Sequence, residues 1–226
     1  MKKWEEIPEV MKCPEVRKYY DLLQKKKAAL VAKRCFDVIM SVFLIVLLLP
    51  VLLIIGIAVK ATSPGEAVFK QVRVTTYGKR FRIYKFRTMV AGAPQKGAAV
   101  TVNGDARVTK IGTFLRKVRL DELPQLFNIV KGDMSFVGTR PEVERYVDAY
   151  SDEMYATLLL PAGVTSPASI EYKDEERLLS QGNDVDATYI QEILPAKMEY
   201  NLRYLEEFSF WGDIRILFQT VVAVLR

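Results

Sequence analysis

The chain has 226 residues, with 33 Lys and Arg against 27 Asp and Glu for a net charge of +6, and half of its residues are hydrophobic. That length suits one compact domain with an accessory element. The sequence contains no histidine, which excludes Ser-His-Asp and Cys-His nucleophile systems, imidazole general bases and His-ligated metal sites. Its two cysteines, Cys13 and Cys35, match neither a zinc spacing nor a small disulfide framework, so we expect a reducing, cytosol-facing location.

The first 36 residues form a basic segment that precedes a long apolar run. Pro14 is well placed to open a helix through Tyr19, Tyr20, Leu22 and Leu23, because proline is favoured at the first position of a helix. We interpret this segment as an interfacial helix with lipid-facing cations.

Residues 38–59 carry no charge, and 17 of these 22 residues are Leu, Ile, Val or Phe. A straight helix of this length covers about 33 Å at 1.5 Å per residue, enough for a bilayer core. The summed insertion free energy of about −7 kcal/mol exceeds the penalty of about 3 kcal/mol for Pro50. A soluble core helix and a signal peptide are weaker explanations. We expect a juxtamembrane helix at 1–36, a membrane helix at 37–62 and a catalytic domain with a C-terminal interfacial helix at 63–226.

The residues alone leave two membrane arrangements open. Pro50 divides the apolar run into halves that are each too short to cross a bilayer, and basic residues flank both ends, including Lys33, Arg34 and Lys60. Positive charge marks the cytoplasmic side, so this symmetry gives no orientation for a single span and equally fits a bent helix that enters and leaves on one face.

Two alternating runs follow, Val68–Val74 and Arg80–Phe86, joined by a turn around Tyr77 and Gly78. This pattern predicts a β-hairpin. Residues 68–89 contain no acidic residue and seven basic ones, which are Lys70, Arg73, Lys79, Arg80, Arg82, Lys85 and Arg87. A solvated strand face is the ordinary explanation, but directly after a membrane anchor such a surface favours lipid headgroups or phosphates.

The rest of the chain predicts a loop at 91–104 and two further amphipathic helices. The first has an apolar stripe formed by Val108, Ile111, Phe114, Leu115 and Val118. The second, near the C-terminus, is a candidate interfacial helix with the apolar residues Phe208, Phe210, Trp211, Ile214, Leu217, Phe218, Val221 and Val222.

The densest chemical signal lies at 116–142, around Asp121 and Glu122. Asp121 stands where a helix cap would be, and a cap is its ordinary explanation. A carboxylate at a helix N-terminus is also held ionised by the dipole, as a carboxylate nucleophile requires. Arg116, Lys117, Arg119 and Arg140 around it suit phosphate oxygens, and two adjacent carboxylates suggest oxygen-ligated Mg²⁺.

These residues carry a resemblance to a known family. From about Lys33 onward the chain resembles the bacterial sugar transferases, which are monotopic polyprenyl-phosphate phosphoglycosyl transferases. The matching blocks are KRCFDV, FKQVR, GKRFRIYKFRTM, RVTKIGTFLRKVRLDELPQLFNIVKGDMSFVGTRP and PAGVTSPASIEY. Several blocks in fixed order are more specific than a lone motif.

The resemblance implies transfer of a phospho-sugar from a UDP-sugar to undecaprenyl phosphate with release of UMP, the first membrane step of bacterial glycoconjugate synthesis. By motif position Asp121 is the nucleophile that forms a covalent phosphosugar intermediate, and Glu122 completes the dyad. Arg116 and Arg140 match phosphate-holding positions, and Mg²⁺ bridges both carboxylates and the diphosphate. To the phosphate-binding set we add Arg119, Lys85 and Arg87.

The implied fold is mainly helical α+β, with a re-entrant membrane helix kinked at Pro50, a small basic hairpin and interfacial helices. It places the protein on the cytoplasmic face of the bacterial inner membrane, in contact with lipids and not with nucleic acid. A homodimer is compatible with the sequence.

The sequence departs from the family pattern at three positions. Leu49 stands where Ser commonly precedes the kinking proline, Thr139 replaces the first proline of Pro-Arg-Pro, and Arg119 stands where Ser is common. The segment 162–176 resembles a subgroup pattern that does not identify the sugar.

Two other functional classes remain as alternatives. A membrane-tethered nucleic-acid-binding module would use Phe69, Phe81, Tyr84 and Phe86 as stacking platforms. A scaffold without catalysis would leave Asp121 and Glu122 as an ordinary helix cap.

Overall fold

The computed structural model describes residues 1–90, 92, 105–173, 175, 179 and 184–225. The loop predicted at 91–104 lies, except for Gly92, outside the described residues. The described chain is mainly helical, with small sheets and one long apolar helix. Its helices are α1 (Pro14–Gln24), α2 (Lys27–Thr62), α3 (Lys110–Lys117), α4 (Gln125–Lys131), α5 (Glu144–Val147), α6 (Pro167–Glu171), α7 (Val185–Thr188), α8 (Leu194–Glu207) and α9 (Phe210–Leu225). Its strands are β1 (Val68–Val74), β2 (Arg80–Phe86), β3 (Met134–Val137) and β4 (Ala162–Thr165).

Helix α1 begins at Pro14, as its sequence predicts. Its apolar face, which includes Tyr19 and Leu23, is buried in the main core and packs on the 3₁₀ segment Glu153–Leu159. Because the domain covers this face, α1 does not present it to lipid.

Helix α2 contains the whole apolar run and begins at Lys27, ten residues before the expected start of the membrane element. Pro50 lies inside it, and the helix continues through that residue rather than ending there. In the part of the chain that the structure describes, α2 is the helix long and apolar enough to cross a membrane, with a mean hydropathy of 3.3 over its best window. Only 17% of that window is buried, which is unlike the core helix of a soluble protein.

Polar contacts fasten the first half of α2 to the domain. The Lys33 ammonium lies 2.5 Å from Asp213 Oδ2 of α9 and donates to the Val137 carbonyl at 2.7 Å. Both side chains of this ion pair are buried. Arg34 donates to the carbonyls of Ile129 and Val130, the last turn of α4, at 2.6 and 3.0 Å. The first half of α2 is therefore tied to α9, β3 and α4.

Strands β1 and β2 form the predicted antiparallel hairpin with the predicted bounds. Tyr77, at the turn, adopts a left-handed conformation with φ 56°. Phe81 packs in an apolar cluster with residues of α4, and Phe86 packs in a second cluster with residues of α2 and α3. Both rings are at least 94% buried, so they cannot serve as the stacking platforms that the nucleic-acid alternative requires.

A short parallel pair, β3 and β4, passes beside the hairpin. The two backbones lie very close together where β3 ends, because a Cβ atom on Gly163 would lie 2.2 Å from the nitrogen and the carbonyl oxygen of Gly138. Glycine at this position lets the two backbones approach and bond: Gly163 N–H donates to the Thr139 carbonyl at 2.9 Å. Arg140 follows directly.

Helix α9 has the amphipathic character that its sequence predicts. Trp211, Phe218 and Val221 are exposed, while Asp213 and the partly buried Ile216 and Leu217 face the domain. The exposed side of α9 therefore carries large apolar residues together with Arg215 and Gln219.

Candidate functional site

Asp121 and Glu122 lie in a 3₁₀ turn, Leu120–Glu122, between α3 and α4. Arg119 opens this turn in a left-handed conformation with φ 57°, which is uncommon for a residue with a side chain. The cap position of α4 is occupied by Pro124, and neither helical segment has a side-chain cap hydrogen bond. The interpretation of Asp121 as a helix cap is therefore wrong, and the scaffold alternative loses its explanation of the pair.

Glu122 is the electrostatic centre of the site. Its Oε1 accepts from Arg140 Nη2 at 2.6 Å and from Lys85 Nζ at 2.8 Å. Its side chain is only 10% exposed, so burial alone would raise its pKa, but the charges and hydrogen bonds of Arg140 and Lys85 hold that pKa well below its ordinary value. Glu122 is thus an anion held in place by two cations, Lys85 from β2 and Arg140 from the segment after β3.

Asp121 has the opposite environment, although it is the adjacent residue. It is 6% exposed, and this burial raises the pKa of its carboxyl group above the ordinary value. The charge of Lys85 lowers that pKa, that of Glu122 raises it, and Arg116 and Arg140 act with Lys85. The helix-dipole explanation does not apply at this position, because Pro124 and not Asp121 caps α4; burial raises the pKa of Asp121, and nearby cations oppose that rise.

The predicted cations divide into those near the carboxylate pair and those elsewhere. Lys85 and Arg140 contact Glu122 directly, and Arg116 is close enough to influence Asp121. Arg119 is two residues from Asp121 and exposed. The structure therefore brings together Asp121, Glu122, Lys85, Arg140 and Arg116.

Arg87 is directed to the C-terminal end of α2. Its Nη2 donates to Ser63 O and Oγ at 2.7 and 2.8 Å, and its Nη1 donates to the Glu66 carbonyl. Gly65, with φ 114°, leaves room for this guanidinium, since a Cβ there would lie 2.6 Å from Arg87 Nη1. Arg87 is two residues after Lys85 in the chain, yet it closes the C-terminal end of α2 while Lys85 meets Glu122.

The backbone around Arg140 is held on both sides. Gly163 N–H binds the Thr139 carbonyl, Val74 N–H donates to the Glu142 carbonyl at 3.0 Å, and Arg73 Nη1 donates to the Pro141 carbonyl at 3.2 Å. Such restraint places a cationic side chain without further ordering on substrate binding.

Asn128 of α4 is a site residue that the sequence did not identify. It is fully buried, its Oδ1 accepts from Tyr84 N–H at 3.0 Å, and its Nδ2 donates to the Arg82 carbonyl at 2.8 Å. These two bonds attach α4 to β2 directly beside Lys85. The only signal in the sequence is a polar residue on the buried face of a helix, and its partners 44 and 46 positions away are not readable from a pattern.

The donor set suits a hard divalent cation only in part. Among the described residues no group of three or more His, Cys, Asp or Glu side chains could hold a metal ion. Asp121 and Glu122 offer carboxylate oxygens, and Mg²⁺ is commonly held by one or two carboxylates together with substrate phosphates and water. The pair fits that mode of binding, with most ligands supplied by the substrate.

Known proteins match the part of the chain that contains this site. The family model for bacterial sugar transferases matches residues 28–226. The chain is 38% identical over 197 residues to an Aeromonas hydrophila protein named UDP-N-acetylgalactosamine-undecaprenyl-phosphate N-acetylgalactosaminephosphotransferase, with 85% of this chain and 43% of that protein covered.

Two further relatives have related names. A Klebsiella pneumoniae UDP-glucose:undecaprenyl-phosphate glucose-1-phosphate transferase is 36% identical over 196 residues, covering 85% of this chain and 40% of its own. A Salmonella typhimurium undecaprenyl-phosphate galactose phosphotransferase is 32% identical over 216 residues, covering 89% and 42%. This chain thus spans about two fifths of the length of these three relatives. Since the family model covers most of the chain, including the whole carboxylate site, the chain belongs to the bacterial sugar transferase family.

Proposed function

We propose that this protein transfers a sugar phosphate from a UDP-sugar to undecaprenyl phosphate and releases UMP. The observation that carries the proposal is that two adjacent carboxylates have different surroundings. Glu122 forms ion pairs with Lys85 and Arg140, whereas Asp121 is buried near the same cations without a hydrogen bond to either of them among the described contacts. Membership of the sugar transferase family and the names of the relatives support the substrate class.

In the first step an Asp121 carboxylate oxygen attacks the β-phosphorus of the UDP-sugar. A bond forms between that oxygen and phosphorus, the bond to the bridging oxygen breaks, and UMP leaves with that oxygen. In the second step a phosphate oxygen of the polyprenyl phosphate attacks the same phosphorus, and Asp121 is released as a carboxylate. A carboxylate with little contact with water loses little hydration when it attacks, which favours nucleophilic catalysis.

The cations supply the electrostatic part of the reaction. Arg140 and Lys85 are already oriented by Glu122, so they meet the negative charge of the diphosphate without reorganisation. Arg116 lies on the Asp121 side and is suited to the phosphate oxygens. Asp121 and Glu122 would hold Mg²⁺ together with the diphosphate, and the ion would stabilise the charge that develops on the UMP leaving group.

We further propose that α2 is a re-entrant helix bent at Pro50 and that the protein is monotopic. Both halves of α2 return to the same domain: Lys33 and Arg34 contact β3 and α4 before Pro50, while Val59 and Ser63 accept from Arg87 after it. The apolar residues at the middle of the helix are exposed, namely Val46, Leu47, Leu49 and Val51. A straight span would carry one end of α2 to the far side of the bilayer, away from these contacts.

In the proposed arrangement the site would lie at the lipid surface, on the cytoplasmic face of the inner membrane. The exposed side of α9, with Trp211 and Phe218, suits an interfacial position. A lipid phosphate then reaches Asp121 without leaving the bilayer.

The experiment is product analysis with protein held in nanodiscs. It would be given Mg²⁺, undecaprenyl phosphate and UDP-glucose, UDP-galactose, UDP-N-acetylglucosamine or UDP-N-acetylgalactosamine. We expect UMP from at least one donor, no UMP for Asp121→Asn or without Mg²⁺, and an intact-mass increase of one sugar phosphate when the acceptor is omitted. Asp133→Asn, a carboxylate outside the site, serves as the matched control. Release of UDP, or turnover by Asp121→Asn, would overturn the proposal.

A further inference from the structure

The segment after β4 carries a carboxylate that the proposed mechanism does not use. Glu175 follows α6, where its N–H donates to the Tyr172 carbonyl at 3.1 Å. The Tyr172 ring contacts the Tyr200 ring of α8 edge-on, with centroids 6.1 Å apart. The described part of this segment is therefore fixed against α8, and with it the position of Glu175.

A buried ion cluster holds the Glu175 side chain. Lys197 of α8 lies 2.7 Å from Glu175 Oε2, 3.1 Å from the Tyr189 hydroxyl and 4.0 Å from Glu142 Oε1. Tyr189 in turn donates to Glu142 Oε1 at 2.6 Å. The Lys197 and Glu142 side chains are 5 and 6% exposed, but that of Glu175 is 22% exposed. Glu175 thus forms the solvent-facing edge of a cluster whose other members are inside.

The cluster includes a residue of the segment that follows Arg140. Glu142 is two residues after Arg140, and Arg73 links the intervening Pro141 carbonyl to the same region. The pKa of Arg140 is raised chiefly by the charge of Glu122, and the charges of Glu175 and Glu142 add to it. Glu175 is therefore linked to the Arg140 segment through Lys197 and Glu142, and its charge acts on Arg140.

The chemistry of this carboxylate limits its ligands on the donor molecule to groups that donate hydrogen bonds, which are the hydroxyls of the sugar and ribose and the uracil N–H. One oxygen is taken by Lys197, and in the part of the chain that the structure describes no donor contacts the other. An ionised carboxylate only accepts hydrogen bonds, so it repels the phosphates and can bind only groups that donate. The sugar, whose hydroxyls donate, is attached directly to the β-phosphate that Asp121 would attack.

We propose that Glu175 accepts a hydrogen bond from a hydroxyl of the donor sugar and thereby helps to select the UDP-sugar, with Lys197 fixing its orientation. The inference rests on the proposed function, because it concerns the donor of that reaction. A site built to bind a hydroxyl discriminates against sugars that lack it or present it in another direction, since the acceptor then loses its partner when the bound donor covers it.

The test compares kcat/KM for UMP release by the nanodisc-held protein and its Glu175→Gln variant. The donors are the preferred UDP-sugar and its analogues deoxygenated at one sugar carbon each. We expect Glu175→Gln to lower kcat/KM for the preferred donor about 10- to 100-fold. Removing the contacted hydroxyl should cost the native protein a similar factor and the variant less than about 3-fold. Inhibition by UDP, which lacks the sugar, should be unchanged. Glu171→Gln, an exposed carboxylate on α6, is the matched control.

The remaining outcomes decide against the inference. An equal loss for every donor would mean that Glu175 acts only through Arg140, and weaker UDP inhibition would assign it to the ribose or the diphosphate. If Glu175→Gln does not fold, Glu175→Asp keeps the charge for Lys197 but withdraws the carboxylate, and the same donor-specific change is expected. Absence of UMP from the native protein with every donor would refute the proposed function itself, whereas UMP without donor-specific change refutes only this inference.

Discussion

The Asn128 side chain takes the place of a neighbouring strand beside Tyr84, because its amide oxygen accepts the main-chain N–H that an adjacent strand would otherwise bind. Together with the bond to Arg82, this contact sets the position of β2, and hence of Lys85, relative to the helix that follows Glu122. The geometry of the carboxylate site thus depends on a side chain that contacts neither carboxylate.

Replacing Asn128 by Ala should therefore reduce activity beyond its effect on folding. Two part-buried main-chain groups lose their partner, which we expect to cost about 1 to 3 kcal/mol of stability. The loosened Lys85 should lower kcat at least 10-fold in the fraction that remains folded. Asn201→Ala is the control, since Asn201 is equally buried in α8 but lies outside the site. Thermal unfolding and UMP release measured together would contradict the prediction if kcat per folded molecule were unchanged.

The adjacent carboxylates should respond oppositely to neutralisation. Burial raises the pKa of Asp121 above its ordinary 3.8, so its ionisation destabilises the fold as pH rises through the folded pKa. Asp121→Asn should consequently unfold at the same or a higher temperature at pH 7, although it is inactive. The pKa of Glu122 is depressed below 4.5, so its ionisation stabilises the fold at neutral pH, and that contribution disappears as pH falls through the folded pKa.

Glu122→Gln should accordingly lower stability at pH 7 by about 1 to 3 kcal/mol, with a smaller difference in acid. Thermal unfolding of both variants without Mg²⁺ or donor, at pH 7 and at pH 3, below the ordinary Glu pKa of 4.5, provides the measurement. If Asp121→Asn proved less stable than Glu122→Gln at pH 7, the assignment of the two environments would be incorrect.

Arg87 should behave as a structural residue at the C-terminal end of α2. Arg87→Gln removes the hydrogen bonds to Ser63 and Glu66, and we expect a stability loss of about 1 to 3 kcal/mol with an unchanged affinity for UDP in the folded protein. Arg82→Gln, an exposed side chain on the same strand, should change neither quantity. A selective loss of UDP affinity in Arg87→Gln would instead return this residue to the phosphate-binding set.

Labelling from one side of the membrane tests the path of α2. In a background with Cys13 and Cys35 replaced by Ser, the exposed positions Ala28 and Ala61 would each be changed to Cys. In inverted membrane vesicles an impermeant maleimide should label both, because both ends of a re-entrant helix lie on the cytoplasmic face, while Leu49→Cys should stay unlabelled. Labelling of only one of the two ends would show that α2 spans the bilayer.

Local patterns predicted the hairpin and the long apolar helix of this fold, but not the parallel pair of β3 and β4 or the contacts between elements. The alternation in Val68–Val74 and Arg80–Phe86 predicted the hairpin with its bounds, since strand and turn preferences act over a few residues. Lys85 and Arg87 look alike in sequence, yet one meets Glu122 and the other the end of α2. That choice depends on where the β2 strand ends relative to distant helices. The raised pKa of Asp121 could not be predicted from the sequence either, because burial is a property of the packed domain.

The buried pair of Lys33 and Asp213 has a consequence for the order in which the protein is made. The two residues are 180 positions apart, so Lys33 leaves the ribosome well before its counterion exists. At 5 to 20 residues per second this interval is about 10 to 40 s. A lysine without a partner is costly to bury, so α2 can enter the bilayer but cannot settle onto the domain until α9 has been synthesised. Docking of α2, which is synthesised early, thus requires α9, which is synthesised late.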